Sequence, residues 1–150
     1  MGSLLVDPVD GNVGFGSGFN QWGFTLGQFA DKFKGALKMT KEDTMKILWG
    51  DNFYNKKKKK LTTKTHSKKG KPYKRLFVHF IMDPIIKMHK LCMEGQVEPL
   101  KKMLKNVNVE LTNKEWKLEG RHICKTVMAK WLNASEAILE MVVLYIPSPK

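Results

Sequence analysis

Residues 11–30, GNVGFGSGFNQWGFTLGQFA, decide how the rest of the chain is read. Val13 and Phe15 alternate with Asn12, Gly14 and Gly16, the period of a strand, and a helical pattern follows shortly after. This order predicts a buried strand opening onto a flexible loop that feeds a capped helix. Gly16 and Gly18 put no side chain between the backbone and a flat or anionic ligand, so the loop offers bare amides. Ligands of doubly wound folds sit at strand ends of this kind. A glycine-rich turn that binds nothing has the same local pattern, because spaced glycines alone are a weak motif. Thr25 then opens a T-x-x-Q capping box with Gln28, and Leu26, Phe29, Ala30 and Phe33 recur at helical spacing.

Further along, Thr40 opens a second helix, with Glu42 and Asp43 in its first turn and Met45, Leu48 and Trp49 on one face; Gly50 stops it. Leu76, Val78, Phe80 and Met82 alternate with Phe77, His79 and Ile81, which predicts a strand covered on both faces. Asp83 and Pro84 read as a helix start, a side-chain cap followed by proline at the first position, with Gly95 as the stop. Asp83 is thereby a structural carboxylate. A shorter helix over 98–105, a strand over 107–111 and a helix over 120–130 follow. The last helix covers 134–145 and places Ala134, Ala137, Ile138, Met141 and Tyr145 on one stripe before Pro147 and Pro149 end it.

The chain has 150 residues, the length of one ordinary domain, which buries roughly 68–70% of its unfolded surface when self-contained. Its longest apolar runs, such as 141–146, fall far short of the ~20 residues of a membrane span. No secretory pattern stands at the start, and Val6 occupies the position where a myristoylation signal needs Ser or Thr. Cys92 and Cys124 are too far apart for a local metal knuckle and too few for a disulfide framework, so a reducing, cytoplasmic location is expected. Asn133-Ala134-Ser135 matches a glycosylation acceptor but reads as the polar start of the last helix.

Charge is concentrated in one place. From Asn52 to Met82 there is no Asp or Glu, and eleven of the formal +13 net charge lie there, leaving +2 for the rest. The run holds Lys56, Lys57, Lys58, Lys59, Lys60, Lys64, Lys68, Lys69, Lys71, Lys74 and Arg75. Ordering its backbone costs about 1–2 kcal/mol per residue, while Leu61, its one large apolar side chain over 56–71, returns about 2 kcal/mol. Disorder or a mobile hairpin tip is predicted.

Catalytic patterns are missing. His66, His79, His89 and His122 are dispersed, without metal-ligand spacing, and read as surface or packed histidines. Gly70-Lys71 is followed by Pro72 rather than a hydroxyl residue, so there is no phosphate-binding loop. Asn113-Lys114-Glu115-Trp116 begins like the guanine-reading NKxD signature, but Trp116 stands where the base-binding Asp belongs.

Five blocks follow in one order: DPVDGNVGFGSG, WGFTLGQFA, LWGD, FIMDPIIK and WLNASEAILEMVVLYIPSP. Together they closely resemble the eukaryotic elongation factor 2 family of translational GTPases, over essentially all 150 residues. The archaeal counterpart and a cytosolic GTPase of large-subunit maturation share parts of the pattern. The resemblance implies an α/β fold: a partial P-loop GTPase domain, contributing its last strand and last helix, with an inserted α+β subdomain. On that basis 1–22 end the GTP-binding domain, 23–130 form the insert with its basic loop at 56–75, 131–146 carry the domain's last helix, and 147–150 begin a linker.

The resemblance further implies that Ser17, Gly18 and Phe19 are the family's last guanine-nucleotide motif, binding GTP or GDP mainly through backbone amides. An N–H aimed at the base carbonyl favours guanine over adenine, which presents an amino group there. The family usually has leucine at position 19 and His-Gly before the tryptophan, where this chain has Phe19, Asn20 and Gln21. The phosphate loop, the magnesium-binding segments and NKxD lie upstream in the family, so the segment alone is not catalytic and supplies no metal site. Expected partners are the ribosome, including stalk-base protein and ribosomal RNA, and the remainder of the same factor, with no membrane. Lys56, Lys57, Lys58, Lys59, Lys60, Lys68, Lys69 and Arg75 are the candidates for ribosome or RNA contact. Two other readings stand beside this one: a small basic RNA- or ribosome-binding module without GTPase function, and a parent that binds nucleotide as a regulatory scaffold without hydrolysing it.

Overall fold

The computed structural model describes residues 5–55, 58, 60–67 and 69–145. Helices and short antiparallel strands are mixed, and the chain divides into two compact units: Met1–Val13 with Leu26–Pro84, and Gly14–Thr25 with Ile85–Lys150.

In the first unit a 3-10 turn, Pro8–Asp10, is capped by Asp7, whose Oδ1 accepts from the Val9 amide at 2.8 Å. Helix α1 (Leu26–Leu37) follows directly on Thr25, and its apolar positions Leu26, Phe29 and Ala30 are buried as their spacing requires. Helix α2 (Lys41–Trp49) packs on α1; Thr40 caps it by accepting from the Asp43 amide at 3.1 Å, and Gly50 ends it. A three-stranded antiparallel sheet carries the basic region: β3 (Phe53–Asn55) lies between β4 (Lys60–Thr62) and β5 (Lys74–Arg75). Residues 60–62 and 74–75 of the basic run are thus paired on β3; the expectation of disorder falls partly on Lys56, Lys57, Lys59 and Lys68, which lie outside the described residues.

The strand expected over 76–82 is instead helical. Leu76 and Phe77 open the helix, Val78–Met82 form a π turn, and α3 (Asp83–Met93) continues it. Buried Leu76, Ile81, Ile85, Met88 and Cys92 recur at helical steps, widened by one residue where the π turn lies. The short apolar run satisfied both periods, and burial selected the helical one. Pro84 is therefore interior rather than a first-turn residue. It has no N–H to give the Phe80 carbonyl, and the Asp83 amide bonds back to Val78, the wider spacing that relieves such a clash. Asp83 does not cap a helix start; it accepts from Lys74 Nζ on both carboxylate oxygens at 2.8 Å.

In the second unit β1 (Gly14–Ser17) and β2 (Trp22–Thr25) form an antiparallel hairpin, with Phe15 stacked on Phe24 at 5.3 Å between centroids. The expected buried strand is one arm of this hairpin, and its residues are half-buried or exposed because, among the described residues, β2 is its one strand partner and the hairpin forms a sheet of two. Helix α3 stops at Gly95, which takes the left-handed φ of 66°. Helix α4 (Val97–Asn106) then forms, but no strand follows over 107–111: Asn108 turns at φ 55°, and the Val107 and Val109 amides bond back to α4 carbonyls. Helix α5 (Gly120–Trp131) and helix α6 (Ala134–Tyr145) both pack on β2, α6 starting with Asn133 Oδ1 accepting from the Ser135 amide at 2.9 Å. The expected stripe of α6 divides. Ala134, Ala137 and Met141 are covered at least partly, whereas Ile138 and Tyr145 are exposed. No helix of the described residues is long and apolar enough to cross a membrane.

Candidate functional site

The loop joining β1 to β2 is built by its own side chains. A Cβ on Gly16 would come within 2.6 Å of the Trp22 carbonyl oxygen, so this glycine serves the close approach of the two strands rather than a ligand. Gly18 differs: a Cβ there meets nothing within 4 Å. Ser17 Oγ accepts from the Asn20 amide at 3.2 Å and from Asn20 Nδ2 at 3.3 Å, and the Gln21 amide donates to the Gly18 carbonyl at 3.3 Å. Gln21 completes the turn at φ 58°. Serine hydroxyls stabilise such turns by standing in for a backbone acceptor. No acceptor among the described residues meets the amides of Gly18 or Phe19, so two neighbouring N–H donors remain for an external carbonyl or anion.

Phe19 extends from this turn with 65% of its surface exposed. Arg121 Cζ lies 5.5 Å and Lys125 Nζ 5.1 Å from its ring centroid. Both cations belong to α5, one turn apart and hence on one helix face. The sequence assigns Phe19 a role through its backbone alone and gives no sign of Arg121 or Lys125 beside it. Their i, i+4 spacing was visible; which aromatic they meet was not.

The basic sheet belongs to the other unit. Lys58, Lys60, Lys64, Lys69 and Lys71 are exposed there, without a carboxylate partner among the described residues. The end of the run is different. Arg75 pairs with Asp51 at 2.6 Å and Lys74 with Asp83 at 2.8 Å, so the carboxylates bracketing the run fold onto its last two cations. Within the run, the Lys58 amide donates to Asn55 Oδ1 at 3.2 Å, and Asn55 Nδ2 donates to the Tyr73 hydroxyl at 3.0 Å. Tyr54 stacks on His79 at 4.6 Å behind the sheet, which gives that histidine a packing role.

Elsewhere, Thr112 and Glu115 cap each other: Glu115 Oε2 accepts from the Thr112 amide at 2.7 Å, and Lys130 Nζ reaches Glu115 Oε1 at 2.7 Å. Lys130 first, then the Thr112 amide, hold the Glu115 carboxyl down at about 2, from an ordinary 4.5. No group of three or more His, Cys, Asp or Glu among the described residues is placed to hold a metal ion. Compared with models of known protein families, the chain matches none.

Proposed function

We propose that this chain is the base-facing end of the nucleotide domain of a ribosomal translocase resembling elongation factor 2, together with the subdomain inserted into it. The observation that carries the reading is the turn at Ser17-Gly18-Phe19, standing within five collinear blocks of that family's sequence and presenting two amides with no internal acceptor. Those donors suit the carbonyl of guanine in GTP or GDP, and Ser17 shapes the turn that aims them. Phosphate and magnesium contacts then come from preceding polypeptide, so hydrolysis belongs to the parent on the cytoplasmic ribosome.

A second feature supports an incomplete domain. Helix α6 leaves Ile138, Leu139, Val142 and Val143 exposed on successive turns. An apolar face of that extent fits a helix that further elements of the same factor cover. Sequencing the transcript upstream of Met1 tests the reading: an open frame encoding a phosphate-binding loop and NKxD is expected, and a frame without them removes it. Magnesium-dependent GTP capture by the purified 150-residue chain also contradicts it.

A second reading, a basic module that docks on ribosomal RNA through the hairpin, is favoured by the five exposed lysines at positions 58, 60, 64, 69 and 71. Each phosphate they neutralise steepens the salt dependence of binding by roughly 0.7–0.9 in log–log slope, depending on strandedness. Lys→Gln changes at these positions flatten the slope under that reading and leave it unchanged if the hairpin is only solvated.

A further inference from the structure

We infer that Phe19, Arg121 and Lys125 form a stacking site for single-stranded RNA, a role distinct from the backbone recognition of guanine proposed above. Binders of single strands combine a face for a base with cations for its phosphates. The lysine run from Lys56 to Arg75 has the cations without the ring, since no Phe, Tyr or Trp occurs in it before Tyr73. Here both occur together. The Phe19 ring is 65% exposed at the tip of a turn, so part of its surface is open to a flat partner. Arg121 and Lys125 stand 5.5 and 5.1 Å from its centroid, and neither has a carboxylate partner among the described residues.

The surrounding charge selects the partner's sign. From Lys114 to Lys130 there are five Lys or Arg against Glu115 and Glu119, and Glu115 is already engaged by Lys130. The two unneutralised cations beside the ring therefore attract an anion, while the exposed part of the ring takes a flat π surface. A nucleotide within a single strand brings both, the base to Phe19 and its flanking phosphates to Arg121 and Lys125. A duplex keeps its base faces stacked on one another and presents none to the ring. Phe19 is also held without being buried, because its cations are anchored by α5, so the face is organised before a strand arrives.

The test uses the full 150-residue chain and fluorescein-labelled 12-nucleotide oligoadenylate, followed by fluorescence anisotropy from low to moderate salt. Phe19→Ala is expected to weaken binding about tenfold with the salt slope unchanged, since one lost stacking contact removes no phosphate contact. The double change Arg121→Gln, Lys125→Gln is expected to lower the slope by about 1.4, about 0.7 for each phosphate of a single strand. Phe19→Trp retains binding, and oligoadenylate quenches its tryptophan emission more than that of the parent, whose four tryptophans set the background. Melting temperatures of all three variants stay near that of the parent, because the residues are at the surface. Equal affinity of Phe19→Ala and parent overturns the site and leaves RNA to the hairpin lysines. Binding of polyglutamate with the same dependence on Phe19 overturns RNA as the ligand in favour of an acidic protein. Displacement of RNA by free GTP at equal concentration assigns the ring to a mononucleotide and likewise overturns it. The guanine reading survives failure here, as it rests on amides that Phe19→Ala retains.

Discussion

The Gly23 amide donates to the Leu132 carbonyl at 3.1 Å, tying the first hairpin to the junction between α5 and α6 near the other end of the chain. A Cβ on Gly23 would lie 3.3 Å from both Cα and Cβ of Ala134, tighter than ordinary contact, so the first turn of α6 rests directly on the hairpin backbone. Gly23→Val is expected to destabilise the fold by about 1–3 kcal/mol through overpacking against that backbone. Gly18→Ala, whose methyl meets no atom within 4 Å, is the matched control and changes stability by less than about 0.5 kcal/mol. Chemical denaturation of the two variants reads the difference.

Glu115 links the turn before α5 to the end of that helix through Lys130, and its pKa carries a pH signature. Because the folded value of about 2 lies below the ordinary 4.5, its contribution is fully present above about pH 4.5 and is lost as pH falls towards 2. The parent is expected to lose melting temperature across that window more steeply than Glu115→Gln, which has no carboxyl to protonate. Parallel thermal melts of the two proteins at pH 5, 4, 3 and 2 isolate this group from the other carboxylates. Identical pH profiles would remove it.

Helix α2 provides two substitutions of different size on one element. Thr40→Ala deletes the acceptor of the Asp43 amide and is expected to cost about 1 kcal/mol, the usual loss for an N-cap. Leu48, 1% exposed, loses its packing in Leu48→Ala, at an expected cost of about 2–5 kcal/mol. Urea titrations rank the two, and a larger effect at the cap than at the core position contradicts the packing described.

Cys92 on α3 and Cys124 on α5 are both free and fully buried. The Cys124 side chain, by hydrogen bonding, and then burial push the Cys92 thiol well above the ordinary range, so it stays protonated and unreactive. A disulfide-exchange thiol reagent at pH 8 is expected to label neither cysteine in the native protein and both in denaturant. Rapid native labelling would place at least one thiol at the surface.

Local signals sufficed where one short segment contains its own reason to fold. Thr40 with Asp43, Asn133 with Ser135, and the glycine after α3 act within a single turn, and the starts of α2 and α6 and the end of α3 stand where these residues placed them, although the start expected at Asp83-Pro84 does not. The region over 76–82 shows the limit: its apolar residues satisfied the strand period and the helical one together, and the choice depended on which neighbours buried Leu76 and Ile81. At 107–111 the hydrophobic alternation was real, but α4 carbonyls captured the Val107 and Val109 amides before any strand partner did.

The candidate loop divides in the same way. A loop after the first strand was legible from Gly16 and Gly18, but its return through β2 as a hairpin, with Ser17 accepting from Asn20, was not; the basic run was legible because charge is additive along a chain. Which cations flank Phe19, which carboxylates neutralise Lys74 and Arg75, and which side of α6 is left uncovered were decided by tertiary structure alone. The physical reason is range: caps and turns are stabilised by neighbours a few residues away, whereas these pairings join segments whose meeting is set by burial of distant apolar surface.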